Sequence, residues 1–291
     1  MKEKYQMKEF MKAEEIVNAI LDAKLKAKKE KQPSRLIFWY SCGAASAVTV
    51  KIGLADKEYC SQFDEVIIAY CKVQEEHSDN ERFFKECEEW FGQKVTVLMH
   101  EGYGGSIYNV FEKNYMRTPA GSPCTRALKK QVRTKFQQVG DVHVMGYTVE
   151  EEKRSNDFID ANNDIETWWP LIEKKITKEN CLSMVERAGI ELPVMYKLGY
   201  EHNNCVGCVK GGMGYWNKIR VDFPEEFEKM AKFERLKGYT VLKEPSSKKP
   251  ESGQPLYLDS LDPKRGRMND EPKIECGIFC EMAEATYKGV R

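Results

Sequence analysis

Charge of one sign is not in excess in this 291-residue sequence, where Lys+Arg and Asp+Glu both number 46. That balance removes any global electrostatic case for nucleic acid or an anionic membrane as partner. No run of about eighteen apolar residues occurs, so a membrane-spanning helix is not expected. The opening MKEKYQMKEFMKAEE lacks the apolar stretch of a signal peptide, and the expected location is cytoplasmic. Histidine is scarce: His77, His100, His143 and His202 are dispersed, no Ser/His/Asp set is visible, and His143 lies within a strand pattern as a core residue would. Internal repeats are absent. So are the Gly-Lys-Ser/Thr end of a Walker A loop and the GxGxxG of a dinucleotide fold.

Cysteine, by contrast, is plentiful, with ten in the chain. In a long chain without an export signal these stay reduced, bind metal or do chemistry. Cys42, Cys60, Cys71, Cys87 and Cys181 sit in apolar or helical sequence and read as buried structural thiols. Cys124, Cys205, Cys208, Cys276 and Cys280 have polar or Gly-rich surroundings.

Short apolar runs alternate with helical patterns from residue 35 to 150. RLIFWYS, DEVIIAYCKV, KVTVLMHEG and DVHVMGYT read as strands, with helices between them. This predicts an α/β fold: an open, mostly parallel sheet with helices on both faces, plus a Cys-rich helical C-terminal region. Three segments are expected: a helical extension at 1–33, a nucleotide-binding α/β domain at 34–160, and a helical, cluster-bearing region at 161–291 packed on it. Thr177 followed by Asn180 precedes an apolar helix face, and PSSKKPESGQP reads as a surface loop.

Ser41-Cys42-Gly43-Ala44-Ala45-Ser46 follows the first strand and opens a helix. In an open parallel sheet, ligands bind at the carboxyl ends of strands, and amides of a tight turn before a helix form an anion site. Gly43 permits close approach, and Ser41 and Ser46 add hydroxyls. Small residues equally allow close helix–sheet packing. Cys205-Val-Gly-Cys208 is the strongest local signal, since a two-residue spacer turns both thiolates toward one ion. Cys276 and Cys280 can share one face of a helical turn, and by spacing alone these four cysteines would make a tetrahedral zinc site.

The strand–SxGxxS–helix arrangement resembles the PP-loop of adenine nucleotide α-hydrolases, and especially the phosphoadenosine phosphosulfate reductase group. ATP-splitting members read SGGxDS; this chain has Cys42 at the second position and Ala45 for the Asp, a departure shared with sulfonucleotide reductases. GSPCTRALKKQVR, GYTVEEEKR, NNCVGCVKGGMGYWNKIR and ECGIFCEMAE are similar to segments of reductase-like proteins of bacteria and phages, and extend the resemblance over about residues 35–285. The resemblance implies an adenine nucleotide ligand: phosphoadenosine phosphosulfate, adenosine phosphosulfate or ATP. It places anion-binding side chains at Arg126, Lys129, Lys130 and Arg133, which at helical spacing would present four cations on one face. After the last strand, Lys153 and Arg154 match an Arg-bearing loop, and Gly146 would let the chain pass close to the nucleotide.

The same resemblance implies a 4Fe–4S cluster. Iron–sulfur sulfonucleotide reductases use a Cys-Cys pair and a CxxC about eighty residues on; here the pair is Cys124-Thr125, and Cys205 and Cys208 follow at a like distance. Cys280 would complete the set, leaving Cys276 of Glu275-Cys276-Gly277-Ile278 as the nucleophile that attacks sulfate sulfur. Phe279 stands where that motif carries His. Three readings result: a reductase-like enzyme with room for a thiol reductant, an ATP-dependent adenylating or sulfur-transfer enzyme acting on a nucleic acid or small molecule, and a non-enzymatic nucleotide-binding module with structural zinc.

Overall fold

A computed structural model describes residues 33–117, 121–162, 165–244, 253–270 and 274. The N-terminal extension lies outside these residues, as do Cys276 and Cys280. Strand β1 (Arg35–Trp39) buries all five of its residues, as a near-continuous apolar run must when both faces of a parallel sheet are covered. It pairs with β2 (Glu65–Cys71) on one side and β4 (Val142–Val144) on the other. β3 (Val95–Leu98) and β5 (Glu166–Trp168) complete a five-stranded sheet of order β3-β2-β1-β4-β5, with every pairing parallel.

Successive residues of β1 serve opposite layers, as the period of two dictates. Leu36, Phe38 and Tyr40 pack with α1 (Ala44–Ala55), α2 (Asn80–Phe91) and α4 (Lys178–Arg187), through Val48, Phe83 and Cys181. Ile37 and Trp39 pack with Val132, Trp169 and Phe158, the last on α3 (Glu152–Ala161). The expected open parallel sheet with helices on both faces is therefore present. α1 lies against β1 so closely that a Cβ at Gly53 would sit 2.2 Å from the Phe38 ring.

β5 lies beyond residue 160, so the sheet takes its last strand from the segment read as the start of the helical region. Three residues before a Trp-Pro corner are too few to show alternation. A separate apolar cluster is built from Val110, Phe111 and residues of α5 (Met213–Asp222) and α6 (Pro224–Lys237), with a short antiparallel hairpin of Leu242–Lys243 and Pro255–Leu256. Glu234 ties α6 to that hairpin: its two carboxylate oxygens accept the Val241 and Leu258 amides, each at 2.7 Å. Thr177 and Asn180 form the reciprocal cap their spacing suggested at the start of α4, each side chain accepting the other's amide at 3.1 Å. Among the described residues no helix is long and apolar enough to cross a membrane.

Candidate functional site

The chain leaves β1 toward α1 and β2 on one side, while β4 joins β1 on the other. Strand order thus reverses between β1 and β4, and the turns after both strands diverge to leave a crevice. A cleft of about 1100 Å³, open to solvent, lies there. Its walls include Ser41, Gly43, Ala44, Ala45 and Ser46 from the first turn, and Gly146, Tyr147, Thr148, Glu151 and Arg154 after β4.

The Ser41–Ser46 turn is internally stapled. The Ser46 hydroxyl accepts from the Ser41 amide and hydroxyl, each at 3.0 Å, and donates to the Gly43 carbonyl at 2.9 Å. The two hydroxyls expected as ligand donors are spent on each other and on the turn. Cys42 is buried beneath it at φ +58, a left-handed conformation that favours glycine. Two contacts hold it there: the thiol meets the Asn80 carbonyl at 3.5 Å, and the Asn203 side-chain amide donates to the Cys42 carbonyl at 2.7 Å. The same amide donates to Asn80 Oδ1 at 2.7 Å, while Asn203 Oδ1, in a side chain only 7% exposed, has no partner among the described residues.

Gly146 lines the cleft, and its lack of a side chain serves the protein itself. A Cβ there would fall 2.7 Å from Ser46 Cα and 2.9 Å from Ser46 N, so β4 could not approach the start of α1. Arg154 also lines the cleft, held by Glu151 at 2.7 Å and with its guanidinium 4.3 Å from the Tyr147 ring centre. Lys153 is exposed and off the cleft. Lys178 enters from the first turn of α4 and donates its ammonium to the Glu201 carbonyl.

The expected four-cation helix face does not form. Residues Arg126–Gln131 are a π-helix, whose i→i+5 bonding breaks the three- and four-residue stripe. Arg126 is exposed and Lys130 half-buried, while Lys129 and Arg133 are buried beside the end of β2. Of the four, Lys129 alone lines the cleft. Among the described residues the cleft therefore presents Lys129, Arg154 and Lys178 against the single carboxylate of Glu151, a net positive wall.

Tyr196 and Lys178 carry no motif of their own. Glu151 lies in the GYTVEEEKR segment and closes a capping box with Thr148, and Asn203 opens the NNCVGCVKGG segment just before Cys205. His143 behaves as the core residue the strand pattern indicated: its Nδ1 accepts from the Trp39 indole at 2.9 Å, and burial holds it down at about 4. Cys60, expected among the buried thiols, is only half-buried at the end of a short surface helix. Cys42, Cys71, Cys87 and Cys181 are buried, and burial raises every one, the last three to about 12. Such thiols are inert at neutral pH.

Cys205 and Cys208 bracket a tight turn with Gly207 at φ +72. The Tyr215 hydroxyl clasps it, accepting from the Cys208 amide at 2.9 Å and lying 3.3 Å from the Cys205 carbonyl. The Val206 amide donates to the Glu75 carbonyl at 2.9 Å, which fixes the turn to the loop after β2. Cys124, half-buried, borders the same apolar cluster. Trp216 is fully buried against Gly207 and serves as packing. Among the described residues no group of three or more His, Cys, Asp or Glu side chains is arranged to hold a metal ion. The remaining implied ligand, Cys280, lies outside them.

No family model and no curated protein matches this chain. Among solved structures, the U34-tRNA thiolase NcsA from Methanococcus maripaludis with its 4Fe–4S cluster is similar over 72% of this chain and 72% of its own, at 14% identity and a TM-score of 0.37. That likeness is too distant to carry chemistry from one chain to the other.

Proposed function

We propose that this chain is an enzyme that binds an adenine nucleotide in the cleft, phosphates toward the Ser41–Ser46 turn, and acts on the nucleotide's sulfate or α-phosphate. The observation that carries the reading is the placement of the turn. It lies at the carboxyl end of the central strand, at the reversal of strand order, and feeds a helix of 12 residues whose first amides face a wall bearing Lys129, Arg154 and Lys178. An anion gains there from both the helix dipole and the guanidinium geometry of Arg154.

Ala45 lines the cleft where an ATP-splitting loop carries Asp, and this favours sulfonucleotide chemistry over pyrophosphate release. In that chemistry the Cys276 thiolate forms a bond to the sulfate sulfur as the sulfur–oxygen bond to phosphate breaks. Adenosine 3′,5′-bisphosphate leaves with the bridging oxygen. A thiol reductant then displaces sulfite from the cysteine and forms a disulfide with it.

The described residues do not complete a metal centre. Cys205 and Cys208 are the ligands the fold best prepares, with Cys124 and Cys280 as the implied others.

Protein purified anaerobically is assayed with phosphoadenosine phosphosulfate, adenosine phosphosulfate and ATP, scoring sulfite and pyrophosphate, alongside iron, sulfide and zinc analysis. Sulfite release that is lost in Cys276→Ser supports the reading. Pyrophosphate from ATP alone would assign adenylation instead, and nucleotide binding without turnover would leave a binding module.

A further inference from the structure

Tyr196 reaches the nucleotide turn from a four-residue helix, Val194–Lys197, that belongs to neither β1 nor β4. Its phenol oxygen accepts the Ala44 amide, the first of α1, at 3.3 Å. That amide belongs to the rim of the cleft, so a neutral oxygen stands where an anionic oxygen of a ligand would be drawn. The phenol keeps its own proton to donate, no described residue accepts that proton, and Tyr196 itself lines the cleft.

We propose that Tyr196 turns a fixed backbone donor into a hydroxyl donor aimed into the cleft, and that this hydroxyl contacts a phosphate or sulfate oxygen of the bound ligand. A second, independent feature marks the same spot as built for a ligand. Asn203 lines the cleft, and its Oδ1 is a buried acceptor without a described partner, a group that a ligand hydroxyl or amine would satisfy. Gly43 belongs to the device, because a Cβ there would come 3.1 Å from the phenol oxygen and push it off the Ala44 amide. Burial pushes the phenol up to about 12, so it remains a donor throughout the neutral range.

This inference rests on the nucleotide reading for the identity of the ligand, though not for the role of Tyr196. Calorimetry compares wild type, Tyr196→Phe and Gly43→Ala with adenosine 3′,5′-bisphosphate, adenosine and inorganic pyrophosphate. A hydrogen bond to a charged group is worth roughly 1.5–3 kcal/mol, so both variants should bind the bisphosphate about 10- to 100-fold more weakly, with adenosine unchanged. Wild-type binding of the bisphosphate that neither variant weakens overturns the role of Tyr196 and leaves the nucleotide reading intact. Binding of pyrophosphate but of no adenine compound, weakened in both variants, overturns the nucleotide reading and leaves Tyr196 in place. No binding of any of the three overturns both. Near-ultraviolet circular dichroism checks that each variant is folded, and Gly43→Ala carries the test if Tyr196→Phe is not.

Discussion

Asn203 offers the most direct test of how the Ser41–Ser46 turn is held. Its side-chain amide donates to the Cys42 carbonyl and to Asn80 Oδ1, both at 2.7 Å and both buried. Truncation in Asn203→Ala removes two hydrogen bonds of about 1 kcal/mol each and leaves their acceptors unpaired, which adds to the loss. It also removes Oδ1, itself unpartnered among the described residues, which offsets part of that cost. The net expected loss is about 2 kcal/mol, a fall in melting temperature of about 3 °C for a chain of this size. Function should suffer more than stability. Left-handed Cys42 costs roughly 1–2 kcal/mol, and without its clasp the turn relaxes toward extended backbone. If the competent turn falls to about a tenth of the population, apparent nucleotide affinity drops about tenfold. Thermal melts and calorimetry with adenosine 3′,5′-bisphosphate measure both effects. Asn203→Asp, which sets a carboxylate against two acceptors, should be worse than the alanine. An alanine variant that melts within 1 °C (about a third of the expected shift) and binds like wild type would refute the clasp.

Gly146→Ala should cost roughly 1–3 kcal/mol, as overpacking does, because the new methyl meets the Ser46 backbone; denaturant midpoints and nucleotide affinity should fall together. For His143, whose folded value is about 4 against an unfolded value near 6.5, the unfolded chain takes up the proton first on acidification. Its contribution is full above about pH 6.5 and is lost as pH falls toward 4, so His143→Gln should flatten that acid limb in urea titrations. Glu234 has the opposite sign: burial raises it to about 7 against 4.5, so stability is full below about pH 4.5 and declines as pH rises through 7, a slope that Glu234→Gln should remove. The two slopes oppose each other between about pH 4.5 and 6.5, and each should therefore be read from the difference between wild type and its own variant. A wild-type-like pH profile in either variant would contradict that assignment.

Some of this protein is written locally in its sequence. The all-apolar run of β1, the small residues that follow it and the Thr177–Asn180 cap each depend on residues a few positions apart. Periodicity, backbone permissiveness and capping act at that range, so the parallel sheet and the position of the turn could be read directly. His143 and the buried thiols were legible for the same reason, since an apolar surrounding run implies burial. Part of the cleft lining was legible too, since Ser41, Gly43, Ala44, Ser46, Lys129, Gly146 and Arg154 all line it, but the distant side chains that hold the turn were not. Tyr196 and Asn203 reach the Ser41–Ser46 turn from more than 150 residues away, and no spacing rule links them to it. Lys129 was separated from Arg126 and Lys130 by a π-helical stretch that an α-helical stripe does not anticipate. Gly146 was read as making room for a ligand, yet its missing side chain makes room for the protein's own backbone. Local sequence determined the sheet and the small-residue turn after β1; only tertiary packing decided which distant side chains hold that turn, because their convergence depends on how whole layers meet.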